Sequence, residues 1–435
     1  VHRFNEYISS HPEDLNRYVN EKVIPEPEYA RYRNFEDFDA EGGQDVKLSW
    51  MMEDLNRIRK EYQEAIESAK HSEEFKEGQY CQAALNNLQT MPVINALSRY
   101  SVIPKYGFPV DVVELKIYEH GRPVYRDDAN RGGLNRDLKI AISEYAPDSE
   151  VVMDGTKYTS KYVVTPQNGE FPKKYFYTCP VCQKLNIFLS KANAETCQYC
   201  HSDIEERLSD YFIEPVYGFR TGPGKSSKHL KPKRSYAGEV LYLGQGIQEE
   251  TVLELGNGIE VQTFAEDELL VLNKSTFYMC PVCGYAEISH DKIVPDSKTV
   301  NHNRYNEHPC HNKKLERIHL GHRFKTDVTK FIIPELIADG LVGKAKALSF
   351  IYAFLEGISN ALEIERNDIS GILQFNSKTS SFDIIIYDDV PGGAGHVKRL
   401  LDRTAIKISL EEALRKVSKE CCDEDTSCYN CLRNY

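Results

Sequence analysis

The sequence predicts an α+β chain of several domains, and three observations carry that assignment. The first hundred residues are written in helix-forming chemistry, residues 101–275 in strand-forming chemistry, and the last hundred alternate between the two. C-x-x-C pairs punctuate the second and third parts. At 435 residues the chain is long enough for two or three compact domains, and 41% hydrophobic with 28% charged residues is an ordinary globular balance.

Residues 1–100 read as a helical linker or docking region. Ser10-His11-Pro12-Glu13 has capping-box spacing, in which the serine accepts a backbone N–H and the glutamate reaches back. Residues 46–70 hold neither Gly nor Pro and are rich in Glu, Lys, Arg and Leu, as a long exposed helix would be. A second helix is expected over 81–100. The acidic, aromatic stretch Phe35-Glu36-Asp37-Phe38-Asp39 suits a linker or docking segment.

Residues 101–275 read as a β-rich domain with a zinc ribbon inserted at 177–202. Short β-branched runs such as Val110 to Leu115 and Tyr162-Val163-Val164 alternate with Gly, Pro and Asn turns. Residues 276–330 form a second zinc knuckle, and 331–435 a truncated α/β zinc-binding domain. There Ala345, Leu348, Ile351, Leu355, Ile358 and Leu362 recur at helical spacing, which predicts a buried helix over 342–364. A strand from Phe382 to Tyr387, a glycine loop at 391–395 and a helix from about 396 follow.

The chain carries 12 cysteines. No basic-then-apolar start resembles a signal peptide, and no apolar run approaches the ~18–20 residues that span a bilayer. The expected compartment is therefore the cytoplasm, with no membrane partner, where paired cysteines mean metal rather than disulfides. Val1 in place of Met, and an end at Tyr435 inside a motif, read as a piece of a longer polypeptide.

Cys179-Pro180-Val181-Cys182 and Cys197-Gln198-Tyr199-Cys200 make a four-thiolate set. Each C-x-x-C turn aims two sulfurs at one ion, and tetrahedral S₄ ligation with no open position is the structural kind of zinc site. Cys280, Cys283 and Cys310 supply three ligands of a second site. His302 and His308 compete for the fourth place; His308 lies two residues from Cys310, a tight bite, so His302 is preferred. Cys421, Cys422, Cys428 and Cys431 form a third cluster. Adjacent Cys421 and Cys422 diverge, so one of them with a ligand beyond Tyr435 is as plausible as all four. Two zinc ions, with a third at this cluster, are the expected cofactors.

Net charge is −12, which excludes a uniformly basic nucleic-acid coat but not a local patch. Arg220, Lys225, Lys228, Lys231, Lys233 and Arg234 fall in fifteen residues with no acid from 219 to 238. Such a segment suits contact with a polyanion; a merely solvated loop is the alternative. The Gly218–Ser226 stretch is one residue too long for a phosphate-binding G-x-x-x-x-G-K-[ST] loop and no helical run follows, so ATP is not bound there. Asp388-Asp389-Val390-Pro391-Gly392-Gly393-Ala394-Gly395 reads as a structural turn, with a metal-dependent nuclease as the minority reading. No local catalytic constellation emerges.

Three segments in order resemble one family: Leu320 to Val328, Ile386 to Gly395, and Ser427 to Tyr435. They look like the zinc-binding C-terminal domain of bacterial superfamily 2 DNA helicases, first characterised in a mitomycin-repair helicase and found in anti-phage defence proteins of the DISARM and Druantia kind. Pro104 to Asp111 and Pro215 to Thr221 resemble segments between motor and C-terminal domain. The resemblance implies DNA as partner, ATP used only by motor domains in cis or in a partner helicase, and Arg323 and Lys325 as further DNA contacts. A docking scaffold without DNA contact is the rival.

Overall fold

A single strand, Lys314–Ile332, organises most of the molecule. The computed structural model describes the helix 44–71 and, with breaks, residues 111–418. The breaks are at 120–121, 124–132, 154, 167–170, 192–193, 205–209, 223–226, 229–237, 245–246, 291–294 and 390–392; outside these spans only scattered positions are described, among them Cys81, Cys421 and Cys428. Ser10–Glu13 and Phe35–Asp39 lie outside the described residues.

The chain divides into two units, 1–110 and 111–435. In the first, the helix Gln44–His71 extends just beyond the predicted 46–70. It is not exposed all round: Leu48, Met51, Tyr62, Ala65 and Ile66 are buried, a one-sided stripe at helical spacing. On its exposed face Arg57 pairs with Asp54 and with Glu61, the latter at 2.7 Å.

The second unit contains the boundaries read at 275/276 and 330/331, because the 314–332 strand crosses from one expected domain into the next. It lies in a 12-stranded sheet beside Ile259–Asn273 along most of its length, and Ser381–Asp388 pairs with its C-terminal half. Its N-terminal end receives Phe277–Met279 and Ser297–Thr299, the strands of the second cysteine module. Tyr211–Ile213, which leads to the ribbon strands Lys174–Thr178 and Leu185–Phe188, runs parallel beside His319 and Leu320. The middle of the strand is buried on both faces, with Leu320, His322, Thr326, Val328 and Thr329 all inaccessible, as expected of a sheet covered on both sides.

A smaller, six-stranded sheet packs Val112–Lys116 between Phe219–Thr221 and Gly133–Asp137, with Thr156–Val163 beyond. The helix Leu138–Glu144 follows directly. Asp137 caps it by accepting the Lys139 N–H at 2.8 Å, and Leu138, Ala141 and Ile142 enter the common core.

Beyond the long strand, the helix Gly340–Leu362 matches the expected 342–364 span within two residues. Ala347, Ile351, Phe354, Leu355 and Ile358 face the sheet, with Phe354 edge-on to Phe331 at 5.2 Å. The second helix, Arg403–Val417, crosses it so closely that a Cβ on Gly357 would overlap the Ser409 carbonyl oxygen. Asp388 accepts backbone N–H groups from Ala394 at 2.7 Å and from His396 and Val397 at 3.1 Å. Gly393 sits at φ +75°, a conformation that favours glycine, and a Cβ there would overlap the Asp327 carboxylate.

Candidate metal centres

Two of the C-x-x-C turns follow directly on a strand, Lys174–Thr178 and Phe277–Met279, and the 197–200 turn follows an isolated bridge of Thr196 to Asp203. After Lys174–Thr178, the Cys179–Cys182 turn closes with Gln183 N–H to the Cys179 carbonyl at 2.8 Å. The 197–200 turn repeats this, His201 N–H to Cys197 at 3.0 Å. The loop between them is held by Asn186, whose side-chain oxygen accepts the Gln198 N–H at 2.7 Å. The four sulfurs therefore converge: Cys179 to Cys200 and Cys182 to Cys197 are both 3.6 Å. That is far outside a disulfide of ~2.05 Å and close to the ~3.8 Å edge of a tetrahedron with zinc–sulfur bonds of ~2.3 Å.

The surroundings favour the thiolate at Cys179 and Cys200, while burial pushes Cys182 up. Burial pushes the Cys179 thiol up, but hydrogen bonds from Ser202 and from the backbone of Cys182 and Val181 outweigh it and bring it down to about 6. Ser202 lies 3.3 Å from Cys179 and 3.1 Å from Cys200, and its hydroxyl likewise lowers Cys200.

The second centre gathers Cys280, Cys283, His302 and Cys310, all buried, with donor atoms within 4.8 Å of one another. Cys283 Sγ is 3.3 Å from His302 Nε2, and Cys280 Sγ is 4.0 Å from Cys310 Sγ. His302 Nδ1 stands 3.1 Å from the Val300 carbonyl, which fixes the ring so that Nδ1–H donates there and Nε2 is left for a metal. His308 is exposed and takes no part in the cluster. It occupies the tip of the 302–310 loop, where its carbonyl accepts the Arg304 N–H at 2.8 Å.

Cys280 is drawn down to about 4 by the hydrogen bond from Cys283, helped by the Asn312 amide at 3.2 Å from its sulfur. The same hydrogen bond, with burial, pushes Cys283 up. Both donor sets fit zinc: soft thiolates and imidazole, tetrahedral spacing, no open position for substrate.

Three supporting groups were not legible from the motifs. Ser202 and Asn312 both stand two residues beyond a cysteine, a spacing that carries no recognised signal. Tyr285 stacks on His302 with ring centroids 4.8 Å apart. Gly284, at φ +76°, is required where the second turn docks on the smaller sheet; a Cβ would overlap the Val163 carbonyl oxygen.

At the third cluster Cys421 and Cys428 are described, with Cys428 Sγ 4.0 Å from the Cys421 carbonyl, while Cys422 and Cys431 lie outside the described residues. Of the candidate DNA contacts, Arg220 is half-buried with its guanidinium 4.3 Å over the Tyr305 ring. Lys228 lies in a two-residue strand whose side chains are not described, and Lys225, Lys231, Lys233 and Arg234 fall outside the described residues. Arg323 and Lys325 are half-buried on the long strand, Arg323 beside Glu268 at 3.4 Å. Asp388 and Asp389 do not form a metal pair: the first is committed to three N–H groups and the second to Lys139.

Residues 350–432 match the family profile of the MrfA Zn-binding domain. The chain is 24% identical over 399 residues to the Druantia protein DruE of Escherichia coli (strain UMEA 4076-1), covering 79% of this chain and 20% of that protein. It thus spans about a fifth of the relative's length. Two crystal structures of the DUF1998 helicase MrfA, bound to DNA and to DNA with AMPPNP, align with TM-scores of 0.34 and 0.27 at 10% and 11% identity. They cover 74% and 73% of this chain and 31% and 29% of those chains, and at such scores no shared fold follows. The segment that resembled a helicase-associated zinc-binding domain by its motifs is matched by that domain's own profile: residues 350–432 are similar to the MrfA zinc-binding domain, in a chain similar over most of its length to a Druantia protein.

Proposed function

We propose that this chain is the zinc-stabilised, DNA-gripping C-terminal region of an ATP-dependent DNA helicase or of its partner subunit, working in the cytoplasm in anti-phage defence or DNA repair. The observation that carries the reading is the MrfA-type domain at 350–432, continuous through one sheet with two four-ligand centres. Zinc is held by Cys179, Cys182, Cys197 and Cys200, and by Cys280, Cys283, His302 and Cys310. A third ion belongs to the cluster of Cys421, Cys422, Cys428 and Cys431, all of which fall inside the matched segment. None of these ions acts on substrate; each fixes loops that would otherwise lack a core. ATP is hydrolysed by motor domains outside this chain, in cis or in a partner.

The cations of residues 220–234 would supply phosphate contacts. Each contact releases condensed counterions, so log K falls with log salt by roughly 0.7–0.9 per phosphate. Neutralising Lys228, Lys231 and Lys233 together is expected to weaken DNA binding on all sequences alike and to flatten the salt slope by about two to three units. A triple variant with wild-type affinity and slope, measured by fluorescence anisotropy, would leave the segment merely solvated and favour the docking-scaffold reading. What counts against the nuclease reading is that Asp388 already accepts three backbone N–H groups and Asp389 pairs with Lys139.

A further inference from the structure

The 302–310 loop does more than close the second centre. Between it and the strand Thr156–Val163 opens a cleft of about 730 Å³. The aromatic part of its wall is Tyr285, half-buried and stacked on His302, with the buried Tyr162 edge-on behind it at 5.8 Å and its hydroxyl donating to the Asn303 carbonyl at 3.0 Å. Its mouth is polar and cationic, with exposed Asn303, Pro309 and Lys313 on one side and Lys161 on the other. Lys161 is tied to Asp148. Lys313 makes no ion pair among the described residues, and the stretch 300–314 holds Arg304, Lys313 and Lys314 against the single acid Glu307.

Two further facts place this cleft. Gly222 lines it, and Gly222 directly follows the strand Phe219–Thr221 from which the cationic segment departs. Arg220, the first of those cations, lies over Tyr305 of the same 302–310 loop. His302 and Cys310 are lining residues as well as metal donors, so the ion that fixes the loop also fixes the cleft wall.

We propose that this cleft seats one or two nucleotides of single-stranded nucleic acid, with Lys313 on a phosphate and an unstacked base against the accessible part of Tyr285. The volume lies within the ~300–1,000 Å³ of small-ligand pockets, too small for a duplex. The chemistry points the same way. A duplex hides the faces of its bases and offers phosphates, which would leave the aromatic wall unused; a single strand offers both, and a cationic groove with aromatic surface is the arrangement that grips it. The proposal rests on the DNA-binding reading above but on different residues.

The test compares a fluorescein-labelled dT12 with a 12-base-pair duplex on the full chain loaded with zinc. Wild type should bind dT12 more tightly. Lys313→Ala should weaken dT12 roughly three- to tenfold and reduce its salt slope by about 0.7, with duplex affinity within about twofold and zinc content unchanged. Lys313→Arg should retain the wild-type values. If Lys313→Ala leaves dT12 binding intact while the Lys228/Lys231/Lys233 variant loses it, the cleft is overturned and the loop reading stands. Equal losses on dT12 and duplex would show a phosphate contact without a single-strand seat, which also overturns the proposal. A wild-type chain that binds neither probe removes the DNA-binding reading and the cleft together.

Discussion

His302 and His308 show how much one residue's setting decides. Both stand near Cys310 in sequence, yet one ring is buried with Nδ1 on the Val300 carbonyl and the other is in solvent. Replacing His302 with Ala should lower zinc by one atom per chain in elemental analysis, whereas His308→Ala should leave it unchanged. Equal zinc in the two variants would mean that the fourth donor is another group. The preference for His302 was legible because chain geometry restricts a ligand two residues from Cys310. The groups that polarise the sulfurs were not legible, since Ser202 and Asn312 reach them through loop conformation rather than through spacing.

At the scale of elements, the C-terminal helix and strand came through almost unchanged, 340–362 against 342–364 and 381–388 against 382–387. Both are continuous apolar patterns with clear ends. The 19-residue strand 314–332 did not, because a charge recurs every few positions and masks its β-branched and aromatic content. Those charges are met by partners remote in sequence: Glu316 with Lys173 at 2.9 Å, Arg317 with Asp210 at 2.8 Å and Lys330 with Asp383 at 2.7 Å. No local pattern contains that information. The same strand buries His319 edge-on to Phe176 at 5.4 Å, and burial lowers its pKa. A histidine held neutral in the fold but free to protonate when unfolded contributes stability above its ordinary pKa of about 6.5, and that stability is lost as pH falls below it. Wild type should therefore lose stability relative to His319→Phe as pH falls from about 7.5 to about 5.5, read from paired urea melts. Parallel pH profiles would show that the ring titrates alike in the folded and unfolded chain.

For the molecule as a whole, the two described centres lie at different edges of one sheet, and each is joined to the 314–332 strand through only a few hydrogen-bonded residues. The loops they hold carry little apolar core of their own; around the second centre, three of the five buried hydrophobic residues are the cysteines themselves. Zinc is thus expected to contribute folding free energy directly. Treating the purified chain with a strong chelator should release at least two zinc atoms and expose 179–202 and 280–313 to protease, while 340–417 stays protected longer. Uniform digestion of both regions at one rate would show that the metals support the entire unit rather than its edges.

The long strand also sets the clocks of the molecule. Its central residues are paired throughout: 319 and 320 with Tyr211–Ile213, 321–332 with Ile259–Asn273, and 328–331 with Ser381–Asp388 on the other side as well. No local fraying can release them, so their exchange with deuterium must wait for the sheet to open as one event. The 302–310 loop lies outside that sheet, bonded chiefly to itself and, through the Asn303 carbonyl, to the Tyr162 hydroxyl, so its amides need no opening of the sheet to exchange. Slow and fast exchange would then meet within ten residues of one another, at the point where the chain leaves Cys310 and enters the sheet at Lys314.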